Sequence, residues 1–123
     1  MILLDANYIL RYLIRDNEEM YVIAEKTILE NPCMVLNEVV AEVVYVLEKV
    51  YKVPKDELID ILIAFLSQGN ISMNSKKSDV VQALRYYEEK NIDFVDGYLC
   101  TLKDEYEVRT FDKKLLKCCQ RVN

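Results

Sequence analysis

Short apolar runs alternate with longer segments of helical periodicity along this chain, and that alternation limits the possible folds more than any other feature of the sequence. Four runs have the length and composition of strands, namely "MILLD", "CMVLN", "ISM" and "EVRTFD". Strands that alternate with helices form a parallel sheet with right-handed crossovers and helices on both faces. The predicted fold class is therefore α/β with a four-stranded parallel sheet.

The segments between these runs predict helices with identifiable ends. Asn37 is expected to cap the helix after the second run, and Pro54 is expected to start the next helix. The predicted helices cover residues 7–15, 18–30, 38–51, 55–68, 78–90 and about 93–105.

The length of 123 residues suffices for one domain with its own core, and only two Gly and two Pro residues leave no visible linker. We therefore predict a single domain over residues 1–123. The longest apolar run, residues 58–66, is too short to span a bilayer and contains Asp60. The N-terminus also lacks the pattern of a secretory leader. These features predict a soluble, cytoplasmic protein without a membrane segment.

The chain has four cysteines and no histidine, which restricts its chemistry. The cysteines show no C-x-x-C spacing, so a zinc site would need all four from separate places, and free thiols in a reducing compartment are the preferred interpretation. The absence of histidine excludes Ser-His and Cys-His nucleophile systems. Catalysis would have to use carboxylates, lysine, tyrosine or a bound metal ion.

Acidic residues follow the predicted strands, at the edge where open α/β sheets bind ligands. They are Asp5 after the first strand, Glu42 in the second turn of a helix, Asp93 and Asp96 at the start of a late helix, and Asp112 after the last strand. Each aspartate has an alternative interpretation as a stabilising residue at a helix N-terminus. If these acids converge, their charges repel unless a cation lies among them. Oxygen ligands alone favour Mg²⁺ or Mn²⁺ over zinc or copper.

Four segments in order carry a resemblance to a known family: "LLDANYIL", "NEVVAEVVYVLE", "DFVDGYL" and "VRTFDKKLL". Together they resemble the PIN domain nucleases, in particular VapC-like toxins of type II toxin-antitoxin pairs. The resemblance implies a PIN-like α/β fold, Mg²⁺ or Mn²⁺ as cofactor, and cleavage of single-stranded RNA regions to leave a 5′-phosphate and a 3′-hydroxyl. It also implies an antitoxin partner. Family members often add a final short strand, for which only "CCQRVN" is left here, so the sheet has four strands, or five if that segment forms one.

The resemblance also assigns roles to single residues. The catalytic and metal-binding residues it implies are Asp5, Glu42, Asp96 and Asp112, supported by Asn7, Asp93 and Thr110. Asp5 and Asp96 would be the first ligands of the ion. Asp112 would bind it directly or through water, and Glu42 would be a ligand or the base that positions water.

The net charge of −5 opposes RNA binding, which depends largely on Lys and Arg. A local basic stripe offers compensation, because Lys113, Lys117 and Arg121 recur every four residues beside Lys114. The stripe has two open interpretations, an RNA-binding surface or a solvated helix face that complements its own dipole.

Two consecutive predicted helices, residues 38–51 and 55–68, carry more apolar side chains than a domain of this size is expected to bury. We expect some of them, including Leu62 and Phe65, to form an exposed surface for a homodimer or for an amphipathic antitoxin segment. The alternative is that these helices pack on each other and leave an ordinary surface.

Two other functions are open at the level of sequence. Asp5 could be the phosphorylated aspartate of a D-x-D phosphatase or a receiver, but Asn7 stands where such a phosphatase needs its second acid. A PIN-like module that binds protein or RNA without catalysis is the non-enzymatic alternative, and the intact acids argue against it. Metal-dependent cleavage of RNA separates that alternative from a nuclease.

Overall fold

The computed structural model of the chain describes residues 1–120. The backbone forms two compact units, Met1–Ser75 and Lys76–Asn123. The first unit contains a parallel sheet and four helices, and the described part of the second contains three helices. The predicted α/β class is therefore confirmed, whereas the single domain over residues 1–123 stays a prediction. Within residues 1–120, every helix is too short or too polar to cross a bilayer.

Three parallel strands form the sheet of the first unit, and two helices connect each strand to the next. The strands lie in the order β1 (Ile2–Leu3), β2 (Cys33–Val35) and β3 (Ile71–Met73). The connecting helices are α1 (Ala6–Ile14), α2 (Glu18–Glu30), α3 (Asn37–Lys49) and α4 (Lys55–Leu66). Such crossovers are required because a short hairpin turn cannot join parallel strands.

The sheet has three strands within residues 1–120, so the predicted number of four or five is wrong. Residues 107–112, the predicted fourth strand, form a loop. Glu107 and Arg109 are exposed and form an ion pair of 2.8 Å, and only Val108 packs against a core cluster. A segment that buries only one side chain gains little hydrophobic free energy, which does not offset the conformational entropy lost when a strand becomes ordered. The predicted fifth strand, residues 118–123, begins inside a helix, and residues 121–123 lie outside the described part of the chain.

Polar residues follow the strands of the first unit at their carboxyl ends. Asp5 caps α1, because its side chain accepts a hydrogen bond of 2.8 Å from the Tyr8 N–H. The prediction that Asn37 caps α3 is wrong, because Asn37 is the first helical residue and Leu36 holds the cap position. The Asn37 N–H instead donates to Asn74 Oδ1 at 3.1 Å. A side chain from the end of β3 thus satisfies a free donor at the start of α3.

The apolar side chains of α4 lie inside the molecule. Leu62 and Phe65 are only 2% and 3% exposed, so the prediction that they form an open surface is wrong. The physical reason is local packing: α4 contacts α3, and the Phe65 ring lies 5.9 Å from the Tyr12 ring of α1 between centroids. These neighbours cover the apolar side chains of α4 that were expected to be exposed.

The described part of the second unit is a helical assembly centred on α6. Its helices are α5 (Lys77–Glu89), α6 (Phe94–Thr101) and α7 (Lys113–Cys119). Helix α6 packs against both α5 and α7. A buried cluster of Ile92, Cys100, Leu115 and Cys118 joins the α6 and α7 segments.

A disulfide connects the last two helices of this unit. Cys100 of α6 and Cys118 of α7 are bonded, with 6.1 Å between their Cα atoms. The prediction of free thiols is therefore wrong for this pair, whereas Cys33 and Cys119 are free. Helix packing brings together two cysteines that are 18 residues apart in sequence. No short sequence motif predicts this proximity.

Gly97 permits the close approach of α6 to α5. A Cβ atom at this position would lie 2.7 Å from the backbone oxygen of Ala83. That distance is far below van der Waals contact, and a backbone oxygen within a helix cannot move aside easily. Gly97 therefore fixes the separation of the two helices, one residue after Asp96.

We expect Gly97→Ala to lower the free energy of unfolding by about 1–3 kcal/mol, because overpacking exceeds the gain in helix propensity. The control is Gly69→Ala, since nothing lies within 4 Å of a Cβ atom there. Chemical denaturation of the two variants measures the difference. Equal stability of both variants would show that α6 and α5 are not in this close contact.

Candidate functional site

Three of the predicted acids line one cleft in the second unit. The cleft has a volume of about 370 Å³. Its walls are formed by Asn91, Ile92, Asp93, Asp96, Asp112, Lys113 and Lys114. The acids come from the starts of α6 and α7, so the packing of these two helices creates the cleft.

Two of these acids also serve as helix caps, as the alternative interpretation predicted. Asp93 Oδ1 accepts a hydrogen bond of 2.8 Å from the Asp96 N–H, and Asp112 Oδ1 accepts one of 3.0 Å from the Leu115 N–H. Each cap bond engages one oxygen, and a carboxylate offers two oxygens with about four lone-pair sites. Capping therefore orients Asp93 and Asp112 without consuming their capacity to bind a ligand.

Asp96 is the acid whose charge the fold disfavours. Burial, followed by the nearby charges of Asp93 and Asp112, raises the pKa of Asp96 above its ordinary value. Its side chain is partly buried at the first turn of α6. Negative charge is thus concentrated where solvent screens it poorly, which is the condition that a bound cation or a proton would relieve.

We expect Asp96→Asn to be more stable than wild type at neutral pH without metal ions. A raised pKa means that the carboxylate is less favourable in the folded state, so removing its charge stabilises the fold. The advantage should shrink as the pH falls through the folded pKa of Asp96 and vanish below the ordinary value of 3.8. Thermal unfolding across this pH range measures it.

Asp79→Asn is the matched control for that comparison, because Asp79 occupies the first turn of α5 as Asp96 does in α6. Loss of its interaction with the helix dipole should lower stability slightly at neutral pH, by about 0.3–1 kcal/mol. A loss of stability in Asp96→Asn as large as that in Asp79→Asn would contradict the electrostatic description of the cleft.

The other predicted residues of this unit surround the acids. Thr110 Oγ1 accepts a hydrogen bond of 3.0 Å from the Asp112 N–H. Lys113 and Lys114 line the cleft, and Lys114 Nζ donates to the Asn91 carbonyl oxygen at 3.1 Å. Lys117 is exposed on α7 but does not line the cleft. Arg121 lies outside the described residues.

Three predicted site residues belong to the first unit. Asp5 is exposed and caps α1, and Asn7 is exposed in the first turn of the same helix. Glu42 is exposed in the second turn of α3. Their participation in one site with the acids of the cleft stays a prediction.

The cleft acids suit a divalent cation in their chemistry. Within residues 1–120, no group of three or more His, Cys, Asp or Glu side chains forms a metal cage. Mg²⁺ does not require such a cage, because it commonly uses one or two protein carboxylates together with waters and substrate phosphates. The hard oxygen donors and the charge crowding at Asp96 therefore fit Mg²⁺ or Mn²⁺ as a partly hydrated ion.

Sequence reasoning missed one conspicuous residue beside these acids. Phe111 lies directly before Asp112, and its side chain is fully exposed. The sequence predicted a strand at residues 107–112, and a strand residue in a sheet is expected to pack against its neighbours. The exposure of Phe111 was therefore not expected. The available signal was its place between two polar site residues, Thr110 and Asp112.

Comparison with known proteins supports the PIN domain part of the resemblance drawn from the sequence. The family model described as the PIN domain matches residues 2–122. No curated protein and no solved structure shows significant similarity to the chain. The family match covers almost the entire sequence, and the parallel α/β fold is consistent with it. The chain therefore belongs to the PIN domain family.

Proposed function

We propose that the protein is a metal-dependent endoribonuclease that hydrolyses phosphodiester bonds in single-stranded regions of RNA. PIN domains are typically nucleases, and this chain belongs to that family. The observation that carries the proposal is the cleft in which Asp96, with its raised pKa, lies beside Asp93 and Asp112 and next to Lys113. Concentrated carboxylates with an adjacent ammonium group suit the recognition of a phosphate through a divalent cation.

In this proposal Asp5, Glu42, Asp96 and Asp112 are the catalytic and metal-binding residues, with Mg²⁺ or Mn²⁺ as cofactor. The cation, when bound, supplies positive charge that offsets the negative charge gathering on the scissile phosphate. Asp93 and Thr110 hold the starts of α6 and α7 in place, and Asn7 supports Asp5. Glu42 positions the attacking water and receives its proton. Water attack on phosphorus breaks the bond to the 3′ oxygen, which takes a proton from solvent, and leaves a 3′-hydroxyl and a 5′-phosphate.

The basic side chains of α7 have a separate role in this proposal. Lys113 and Lys114 line the cleft, and we propose that they contact the RNA backbone, while Lys117 and Arg121 extend the basic stripe in the sequence. Their charges offset part of the net charge of −5 that opposes binding of a polyanion.

The direct test is incubation of the purified protein with a single-stranded RNA and with a fully duplexed RNA, in Mn²⁺, Mg²⁺ or a chelator. We expect cleavage of the single strand only, only with a divalent ion, and with 5′-phosphate ends. A second readout is independent of activity: the divalent ion should raise the melting temperature of wild type more than that of Asp96→Asn. Absence of both effects would refute the proposal.

We further propose that the protein is a cytoplasmic toxin of the VapC type, held inactive by an antitoxin and assembled as a homodimer. Because Leu62 and Phe65 are buried, the partner surface must lie elsewhere. Helix α2 exposes Val22, Ile23 and Leu29, each more than half accessible, and residues 22 and 29 lie on one helix face. A lysine placed at Val22 should therefore weaken dimerisation or antitoxin binding, as measured by light scattering and co-purification.

A catalytically silent PIN module that binds RNA or protein is the alternative. It would bind single-stranded RNA in the same assay without releasing 5′-phosphate ends. Phosphorylation at Asp5 would instead support the phosphotransfer alternative.

A further inference from the structure

We propose that Phe111 is a positioning residue on which an unpaired base of the RNA substrate stacks; this inference rests on the proposed nuclease function. The Phe111 side chain has a relative exposure of 104%, higher than that of any other large apolar residue in the described chain. A phenyl ring held entirely in water contributes nothing to the core and carries an unfavourable hydration free energy. Such a ring is explained if it contacts a ligand.

Phe111 belongs to the turn that leads into two cleft residues, although its own side chain does not line the cleft. Phe111 directly precedes Asp112 and Lys113, which both line the cleft. Two hydrogen bonds order this turn: the Asp112 N–H donates to Thr110 Oγ1 at 3.0 Å, and the Leu115 N–H donates to Asp112 Oδ1 at 3.0 Å. The ring therefore projects from a hydrogen-bonded turn with a defined conformation.

The expected ligand is a nucleobase because of what surrounds the ring. Unpaired bases expose flat π-faces that stack on aromatic side chains, whereas bases in a duplex are already stacked. Lys113 can contact the phosphate of the same nucleotide while the ring contacts its base. The net charge of −5 limits purely electrostatic affinity for RNA, so an uncharged contribution from stacking is needed.

Stacking also explains a preference for single-stranded RNA. A carboxylate cleft that binds a phosphate through a cation recognises single and double strands alike, because both carry phosphates. An exposed ring beside that cleft adds affinity only for a nucleotide whose base is free. Phe111 would therefore add binding affinity for RNA whose nucleotide at the cleft is unpaired, equally in the ground state and in the transition state.

The test compares Phe111→Ala and Phe111→Tyr with Tyr106→Ala, an exposed aromatic residue of the same unit that is not adjacent in sequence to a cleft residue, whereas Phe111 adjoins Asp112. Phe111→Ala should raise KM for a single-stranded RNA by about 5- to 150-fold, the range that stacking of one base supports. Its kcat should change by less than about twofold, since the ring does not touch the reacting atoms. Phe111→Tyr and Tyr106→Ala should behave like wild type.

A spectroscopic readout separates stacking from general damage. An RNA that contains 2-aminopurine, bound to Asp96→Asn so that its cleavage is slow, should lose fluorescence when the probe lies at the stacked position. The double variant Asp96→Asn/Phe111→Ala should restore that fluorescence.

Three outcomes would overturn the inference, and they differ from failure of the nuclease proposal. Wild-type cleavage of RNA with an unchanged KM in Phe111→Ala would refute stacking and leave the nuclease intact. An equal rise of KM in Tyr106→Ala would indicate non-specific loss of surface area. An unchanged KM combined with loss of a protein partner would assign the ring to a protein interface. If wild type neither binds nor cleaves RNA, the nuclease proposal fails first and the inference fails with it.

Discussion

Replacing Asp96 with asparagine should lower kcat for RNA cleavage by roughly two to three orders of magnitude, the loss typical for removing a group that stabilises transition-state charge. Asparagine keeps the size of the side chain and the position of the α6 backbone, so the loss would report on charge alone. Asp112→Asn should give a similar loss, because its side chain lines the same cleft. Rates are measured on a single-stranded RNA under saturating Mn²⁺.

Asp79→Asn is the control for these variants, since it removes a first-turn aspartate from the neighbouring helix α5 and should retain wild-type activity. Asp93→Asn should be intermediate, because asparagine caps a helix nearly as well as aspartate while removing one charge from the cleft. A loss of activity in Asp79→Asn equal to that in Asp96→Asn would show that the cleft acids are not the catalytic groups.

Helix α1 and the two helices between β2 and β3 could be predicted from the sequence because helical periodicity over nine or more residues is a strong local signal. The sequence could not show that residues 107–112 form a loop and not the predicted strand. Alternation of polar and apolar residues shows that a strand could form, but a strand also needs a partner edge and enough apolar burial. The Glu107–Arg109 ion pair and the single packed residue Val108 show that this segment lacks that burial.

Burial of helices is likewise a tertiary property. The apolar content of α4 suggested that the domain could not bury all of its apolar side chains and that Leu62 and Phe65 would be exposed. Both side chains are almost fully buried. Whether an apolar stripe finds a neighbour depends on how adjacent helices cross, which local sequence does not encode.

The gathering of Asp93 and Asp96 could be predicted because both belong to one short segment at a helix start. Their proximity to Asp112 followed from the family pattern, since 16 residues separate Asp96 from Asp112 in a sequence without a local motif that joins them. The raised pKa of Asp96 required coordinates, because it arises from burial and from two neighbouring charges.

The disulfide could not be predicted from the sequence either, because its pairing depends on how the helices pack. Cys118 and Cys119 are adjacent, so sequence cannot tell which of them pairs with Cys100. On a helix, neighbouring residues point about 100° apart, and here Cys118 is buried toward α6 whereas Cys119 is a half-buried free thiol. Burial also raises the pKa of the Cys119 thiol, which disfavours the thiolate needed for exchange with the bonded pair.

Reduction of the Cys100–Cys118 bond should lower the free energy of unfolding by about 3 kcal/mol, the value that loop entropy gives for a closed loop of this length. A dithiol reductant delivers two electrons and two protons to the bond and becomes a disulfide itself, leaving two protein thiols. The expected fall in melting temperature is on the order of 10 °C for a chain of this size.

Because the bond ties the helix that carries Asp96 to the helix that follows Asp112, RNA cleavage should also lose thermal resistance under reducing conditions. Cys119→Ser should respond to the reductant like wild type, whereas Cys100→Ala/Cys118→Ala should not respond at all. A wild-type protein whose melting temperature is the same with and without the reductant would show that the bond does not support this part of the fold.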